Sequence, residues 1–92
     1  MSQTEQLKAV ELLLENGKAT KAKEAFFHLV PENTVKYFLV LGKIEQKFQH
    51  WGDAINAYNK VLAIDPENKE AENNLHLIQN ILNFWNPDMF NP

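Results

Sequence analysis

The chain contains an internal repeat. The stretches GKATKAKEAFFHLVPEN (17–33) and GDAINAYNKVLAIDPEN (52–68) align without gaps at a shift of 35 residues. Glycine falls on glycine at their starts, alanine falls on alanine at two positions, and both end in Pro-Glu-Asn. A period in the middle thirties is typical of architectures that stack copies of one short unit. Since the chain has only 92 residues, it has room for about two such units and one further element.

Helical signals dominate the first third of the chain. Apolar residues after Ser2 keep to one helical face until Gly17, and Ser2 and Glu5 have the spacing of a capping box. A second helical pattern runs from Ala19 to Val30, and Pro31 terminates it. The sequence therefore predicts a first helix over about 3–15 and a second over about 19–30.

Three more helices follow. Asn33 or Thr34 can cap the third, in which apolar residues recur at helical spacing as far as Phe48. The fourth is predicted over about 53–64, and Asn68 can cap the fifth, which continues to about residue 85. No strand is needed, and the short joints favour antiparallel helical hairpins.

The second repeat carries a recognisable motif. An aromatic residue and Leu-Gly on the third helix are followed by an alanine, an aromatic residue and a closing proline: Phe38, Leu41, Gly42, Ala54, Tyr58 and Pro66. In this pattern the chain resembles the tetratricopeptide repeat family. The resemblance is specific over 35–68, weak over 3–33 and absent from the tail. Glu45 stands where the family prefers tyrosine, which predicts a looser contact there.

The resemblance implies an all-α fold of about five helices, with hairpins stacked as a short right-handed superhelix. It divides residues 1–85, a single domain, into repeats at about 3–33 and 35–68 and a capping helix at about 69–85. Residues 86–92 form an apolar tail. Gly42 and Ala54 are expected to let helices approach closely, while the degenerate first repeat suits a terminal position.

Composition narrows the location and the partners. The chain has no cysteine, its start lacks the pattern of a secretory signal, and no apolar run is long enough to cross a membrane, so a cytoplasmic protein is expected. The net charge is −3 and all nine positive side chains are lysines. Because arginine is the residue suited to bidentate phosphate recognition, its absence argues against nucleic-acid binding.

Enzymatic motifs are missing from the sequence. The one serine is Ser2, and neither a nucleophile motif nor a glycine-rich phosphate loop is present. His28, His50 and His76 lie on different helices or joints without metal-ligand spacing. The sequence therefore predicts a protein without enzymatic activity, cofactor or metal.

The resemblance points to a peptide-binding surface. In the family, the first helices of the repeats line a concave groove, which here implies partner contacts from seven residues of the third and fifth helices: Lys36, Leu39, Lys43, Lys47, Asn73, Leu77 and Phe84. The lysines favour an acidic segment or a terminal carboxylate. They are equally compatible with the solvated side of an amphipathic helix. A non-enzymatic adaptor for a peptide or protein is the first functional hypothesis.

The apolar tail supports a second hypothesis. Trp85, Met89 and Phe90 lie near the end of the chain, where most proteins carry polar residues. Asn86-Pro87 is expected to break the helix beyond Trp85, so that Met89 and Phe90 fold back over the last helix as a movable lid or are covered by another chain. The alternative function is therefore a self-associating structural module that dimerises through the last helix and the tail.

Overall fold

The computed structural model describes residues 2–85. Five α-helices make up this part of the chain: α1 (Gln3–Glu15), α2 (Ala19–Phe27), α3 (Val35–Lys47), α4 (Trp51–Ile64) and α5 (Lys69–Trp85). Residues 2–85 contain no β-strand, so the all-α class with five helices is confirmed. The tail at 86–92, with Met89 and Phe90, and the side chain of Trp85 lie outside the described residues.

Side-chain caps set the starts of three helices. Ser2 accepts a hydrogen bond from the backbone N–H of Glu5 at 3.3 Å, and Asn68 accepts one from Ala71 at 2.9 Å. Of the two candidates before α3, Thr34 is the cap, since its hydroxyl oxygen accepts from the N–H of Tyr37 at 3.2 Å. Each cap satisfies a backbone donor that has no partner within its own helix.

Helix α2 ends three residues earlier than the sequence predicts. The helix stops at Phe27 because the next amides turn more tightly: His28 bonds to the carbonyl of Ala25 and Leu29 to that of Phe26. The residue before a proline avoids helical backbone angles, so Val30 is already outside the helix. The prediction of a second helix up to Val30 is thus corrected to Ala19–Phe27.

Helix α4 begins at Trp51, two residues before the predicted start. The carbonyl of His50 accepts from the N–H of Ala54 at 2.9 Å and closes the first turn. No side-chain cap marks this start, which explains why the sequence pattern places it too late.

One hydrophobic core joins all five helices. Its fully buried members include Leu7 and Val10 of α1, Phe26 of α2, Ile44 of α3, Tyr58 and Val61 of α4, and Ile78 of α5. Helix α3 is the central element, because it contacts each of the other four helices. Its most extensive contact is with α4.

Helices α3 and α4 approach closely at a motif glycine. A Cβ atom added to Gly42 would come within 2.6 Å of the Tyr58 ring, far inside van der Waals contact. The glycine therefore leaves the space that the buried aromatic ring fills. Phe38 and Ala54 are buried beside this pair, Leu41 is half-buried, and Pro66 lies in the exposed turn between α4 and α5.

The Glu45 side chain is more enclosed than the sequence predicts. The sequence predicts a loose contact at this position, but Glu45 is buried, with only 9% of its surface exposed. The packing around this part of α3 therefore covers most of the Glu45 side chain.

Candidate functional site

A groove of about 740 Å³ lies between three helices. Its walls come from α1, α3 and α5, from the α3–α4 turn and from the first residue of α4: Glu11, Leu14, Glu15, Lys43, Gln46, Lys47, Gln49, Trp51, Glu70, Asn73 and Asn74. Three carboxylates, two ammonium groups and four amide side chains line it. Leu14, Trp51 and the aliphatic parts of the polar side chains add apolar area, so the surface combines polar and apolar character.

An ion-pair network spans the groove and joins its helices. Glu11 of α1 receives hydrogen bonds on both carboxylate oxygens, from Lys36 on Oε1 and from Lys43 at 2.8 Å on Oε2. Lys43 also pairs with Glu70 at the start of α5. Because Lys43 bridges carboxylates from both flanking helices, the network fixes α1 and α5 relative to α3.

The network shifts the pKa values of its members. Burial by itself raises the pKa of Glu11, but the hydrogen bonds and positive charges of Lys36 and Lys43 together outweigh burial, so the pKa lies below its ordinary value. Burial likewise tends to lower the pKa of Lys43, yet Glu11 and Glu70 together raise it. Both groups are thus held in their charged forms at neutral pH.

Glu11→Gln is expected to lower the free energy of unfolding by about 1 to 3 kcal/mol at pH 7, because a charged hydrogen-bond acceptor of two lysines is lost. The loss depends on pH. A carboxyl whose pKa is lowered by folding stabilises the protein above its unfolded pKa, near 4.5, and loses this effect as pH falls through the folded value. The difference between wild type and variant should therefore shrink below about pH 4.5 in urea denaturation curves.

Glu15→Gln is the matched control for this prediction. Glu15 lines the same groove but is exposed and makes no ion pair within residues 2–85. Its replacement should change the free energy of unfolding by less than about 0.5 kcal/mol. Equal effects of the two variants, or a difference that does not vary with pH, would contradict a stabilising role for the Glu11 network.

A tyrosine links the core to the groove floor. The hydroxyl of Tyr58 donates to Oε1 of Gln46 at 2.7 Å. Burial, and secondly the negative charge of Glu70, raise the pKa of Tyr58, so its hydroxyl remains a donor at neutral pH. This hydrogen bond holds the Gln46 amide from the core side of the groove. It therefore restricts the rotation of one of the four amide groups that line the groove.

The structure brings together part of the predicted partner-binding set. Lys43, Lys47 and Asn73 line the groove, and Lys36 lies beside it on Glu11. Leu39 is only 7% exposed and belongs to the core, so it offers a partner little surface.

The predicted apolar residues of α5 lie on its outer surface. Leu77 is 48% exposed and Phe84 is 78% exposed, and neither is among the residues that line the groove. They form a surface separate from the groove, so the predicted set of seven residues divides between two places. The predicted tail contacts of Trp85, Met89 and Phe90 lie outside the described residues.

Sequence reasoning missed the contribution of α1. Glu11 and Glu15 come from the first helix, and Glu70 comes from the start of the last. If the first helices of successive repeats share one face, α1 lies beside α3 and α5, and its carboxylates then lie opposite the lysines. No local motif indicates Glu11, because its partners are 25 and 32 residues away.

One further group of side chains has the donor types of a metal site. Glu45, His50 and Asp53 hold one ligand atom each within 4.8 Å of one another. They lie at the α3–α4 corner, where the sequence predicts no metal.

No protein-family model matches the chain, and neither a curated protein nor a solved structure matches it. None of the helices in residues 2–85 is long and apolar enough to cross a membrane.

Proposed function

We propose that this protein is a non-enzymatic adaptor of the cytoplasm that binds a peptide or protein segment in the groove between α1, α3 and α5. The observation that carries the proposal is the groove itself, with four amide side chains on its surface. Asparagine and glutamine both donate and accept hydrogen bonds, so they suit the alternating N–H and C=O groups of an extended main chain. The resemblance to tetratricopeptide repeats, whose first helices line a peptide groove, supports the same reading.

The charges in the groove indicate where an acidic group of the partner would bind. Lys36 and Lys43 are already neutralised by Glu11 and Glu70. Lys47 is exposed and forms no ion pair within residues 2–85. An acidic side chain or terminal carboxylate of the partner therefore pairs with Lys47, while the amides on α3 and α5 hold the main chain. A partner carboxylate that contacts Lys43 must compete with Glu11 and Glu70 of this chain.

Selection from a displayed random-peptide library, followed by affinity measurement, tests the adaptor proposal. A selected ligand should lose about tenfold or more in affinity with Lys47→Glu, because the variant places like charges together. Asn73→Ala should weaken the same ligand by removing an amide contact. The matched control is Lys21→Glu, which makes the same charge change at an exposed residue of α2 that does not line the groove. A ligand that binds all three variants equally well would overturn the groove as the binding site.

The exposed stripe of α5 favours a second candidate function. Leu77 is half exposed on a helix whose opposite side packs on the core through Ala71 and Ile78. An apolar side chain on this outer face suits contact with a second copy of the chain, as in a symmetric dimer. Sedimentation distinguishes the two candidates: a dimer should dissociate on dilution and with Leu77→Glu, whereas a mass of one chain at all concentrations removes self-association.

A further inference from the structure

Glu45 carries a largely covered side chain that has one cationic neighbour. It lies in the last turn of α3 with nine-tenths of the residue's surface covered. Within residues 2–85 its carboxylate accepts no hydrogen bond, and its nearest cationic group is Nδ1 of His50, at 3.6 Å. Because that separation exceeds hydrogen-bond length, both carboxylate oxygens can still act as ligands.

The α3–α4 turn holds His50 against that carboxylate. Gln49 adopts a left-handed backbone with a φ of 61°, and the N–H of His50 bonds back to the carbonyl of Glu45 at 2.9 Å. The chain then enters α4, which places Asp53 one turn beyond His50. The backbone thus fixes the relative positions of the three residues independently of any ligand.

We propose that Glu45, His50 and Asp53 bind a divalent transition-metal ion of the Zn²⁺ class. Their ligand atoms lie within 4.8 Å of one another. Zinc bonds to nitrogen and oxygen are about 2.1 Å long, so tetrahedral ligands stand about 3.4 Å apart. The 3.6 Å between Glu45 Oε2 and His50 Nδ1 is already close to that separation. Asp53 is exposed and is free to rotate inward, leaving a further position for water.

The chemistry of the donors selects the class of metal. One imidazole nitrogen with two carboxylates suits zinc and its neighbours, whereas magnesium prefers oxygen ligands and keeps its waters. A simple ion pair explains the cluster less well. The Glu45–His50 separation of 3.6 Å exceeds hydrogen-bond length, and Asp53 adds a second negative charge beside a single imidazole, which a bound cation would offset.

Zinc titration of the full chain tests this site. At about pH 7.5, where the ordinary imidazole is neutral, Zn²⁺ should bind with one-to-one stoichiometry in calorimetry. The accompanying amide chemical-shift changes should centre on residues 45–54. Mg²⁺ in excess should not displace the zinc. His50→Ala should weaken zinc binding by about tenfold or more, since even outer-shell changes at metal sites cost 10- to 100-fold.

Two more variants decide between a specific site and general surface binding. Asp53→Asn changes an exposed residue, so it should fold normally and still weaken binding. His76→Ala is the matched control, because His76 is an exposed histidine on α5 outside the cluster, and it should leave the affinity within twofold. Absence of saturable binding up to about 1 mM zinc, or equal losses for His50→Ala and His76→Ala, would overturn the proposal.

Discussion

Replacing Phe26 with alanine is expected to lower the free energy of unfolding by about 3 to 5 kcal/mol. The side chain is fully buried at the meeting of α2 and α3. Its ring packs against Tyr37 of α3 with centroids 4.8 Å apart and against Phe27 edge-on at 5.2 Å. Alanine removes the buried ring, leaves a cavity and breaks both aromatic contacts. Urea denaturation followed by circular dichroism measures the loss.

The neighbouring aromatic residue is the control for that experiment. Phe27 has the same side chain on the same helix, but 57% of its surface is exposed. Phe27→Ala should therefore cost less than about 1.5 kcal/mol, which covers its partial burial and one edge contact. Similar losses for the two variants would show that position on α2, and not enclosure in the core, sets the cost.

Gly42→Ala is expected to destabilise the protein by about 1 to 3 kcal/mol. This reverses the usual sign, since alanine in a helix interior is favoured over glycine by about 0.5 to 1 kcal/mol. The added Cβ would stand 2.6 Å from one ring carbon of Tyr58 and 2.7 Å from another. The Tyr58 ring is fully buried and its hydroxyl is bonded to Gln46, so it has little room to move. Helices α3 and α4 must separate instead.

A second helical glycine separates backbone propensity from packing. Gly52 lies in the first turn of α4 and a Cβ there meets nothing within 4 Å. Gly52→Ala should therefore stabilise the protein by about 0.4 to 1 kcal/mol. Thermal unfolding of both variants checks the opposite signs. If Gly42→Ala also stabilises the protein, the close α3–α4 approach at this motif position is wrong.

The internal repeat predicts burial well where equivalent residues pack. Ala22 and Ala57 are equivalent at the 35-residue shift and both are buried, as are Phe26 and Val61. The repeat does not predict the backbone conformation at its equivalent glycines. Gly17 ends α1 with a left-handed φ of 76°, whereas its equivalent in the second repeat lies inside α4. The two equivalent glycines therefore occupy different local structures, a turn and a helix, because glycine can adopt the backbone angles of both.

The candidate groove was predictable only in part. Helical spacing places Lys43 and Lys47 on one side of α3, and the structure puts both in the groove. The same spacing gives no means of knowing that Lys43 is held by Glu11 and Glu70, because those carboxylates belong to other helices. The preference for an acidic partner stays a prediction, now centred on Lys47.

The sequence by itself determined the five helices, their main caps and the apolar faces that form the core. These features depend on contacts within a few residues, such as the hydroxyl of Thr34 reaching Tyr37. Only the tertiary structure decided which charged side chains form ion pairs and how far the Glu45 side chain is covered. Those outcomes depend on the relative placement of helices far apart in the chain, where a shift of one helical position pairs a lysine with a different neighbour.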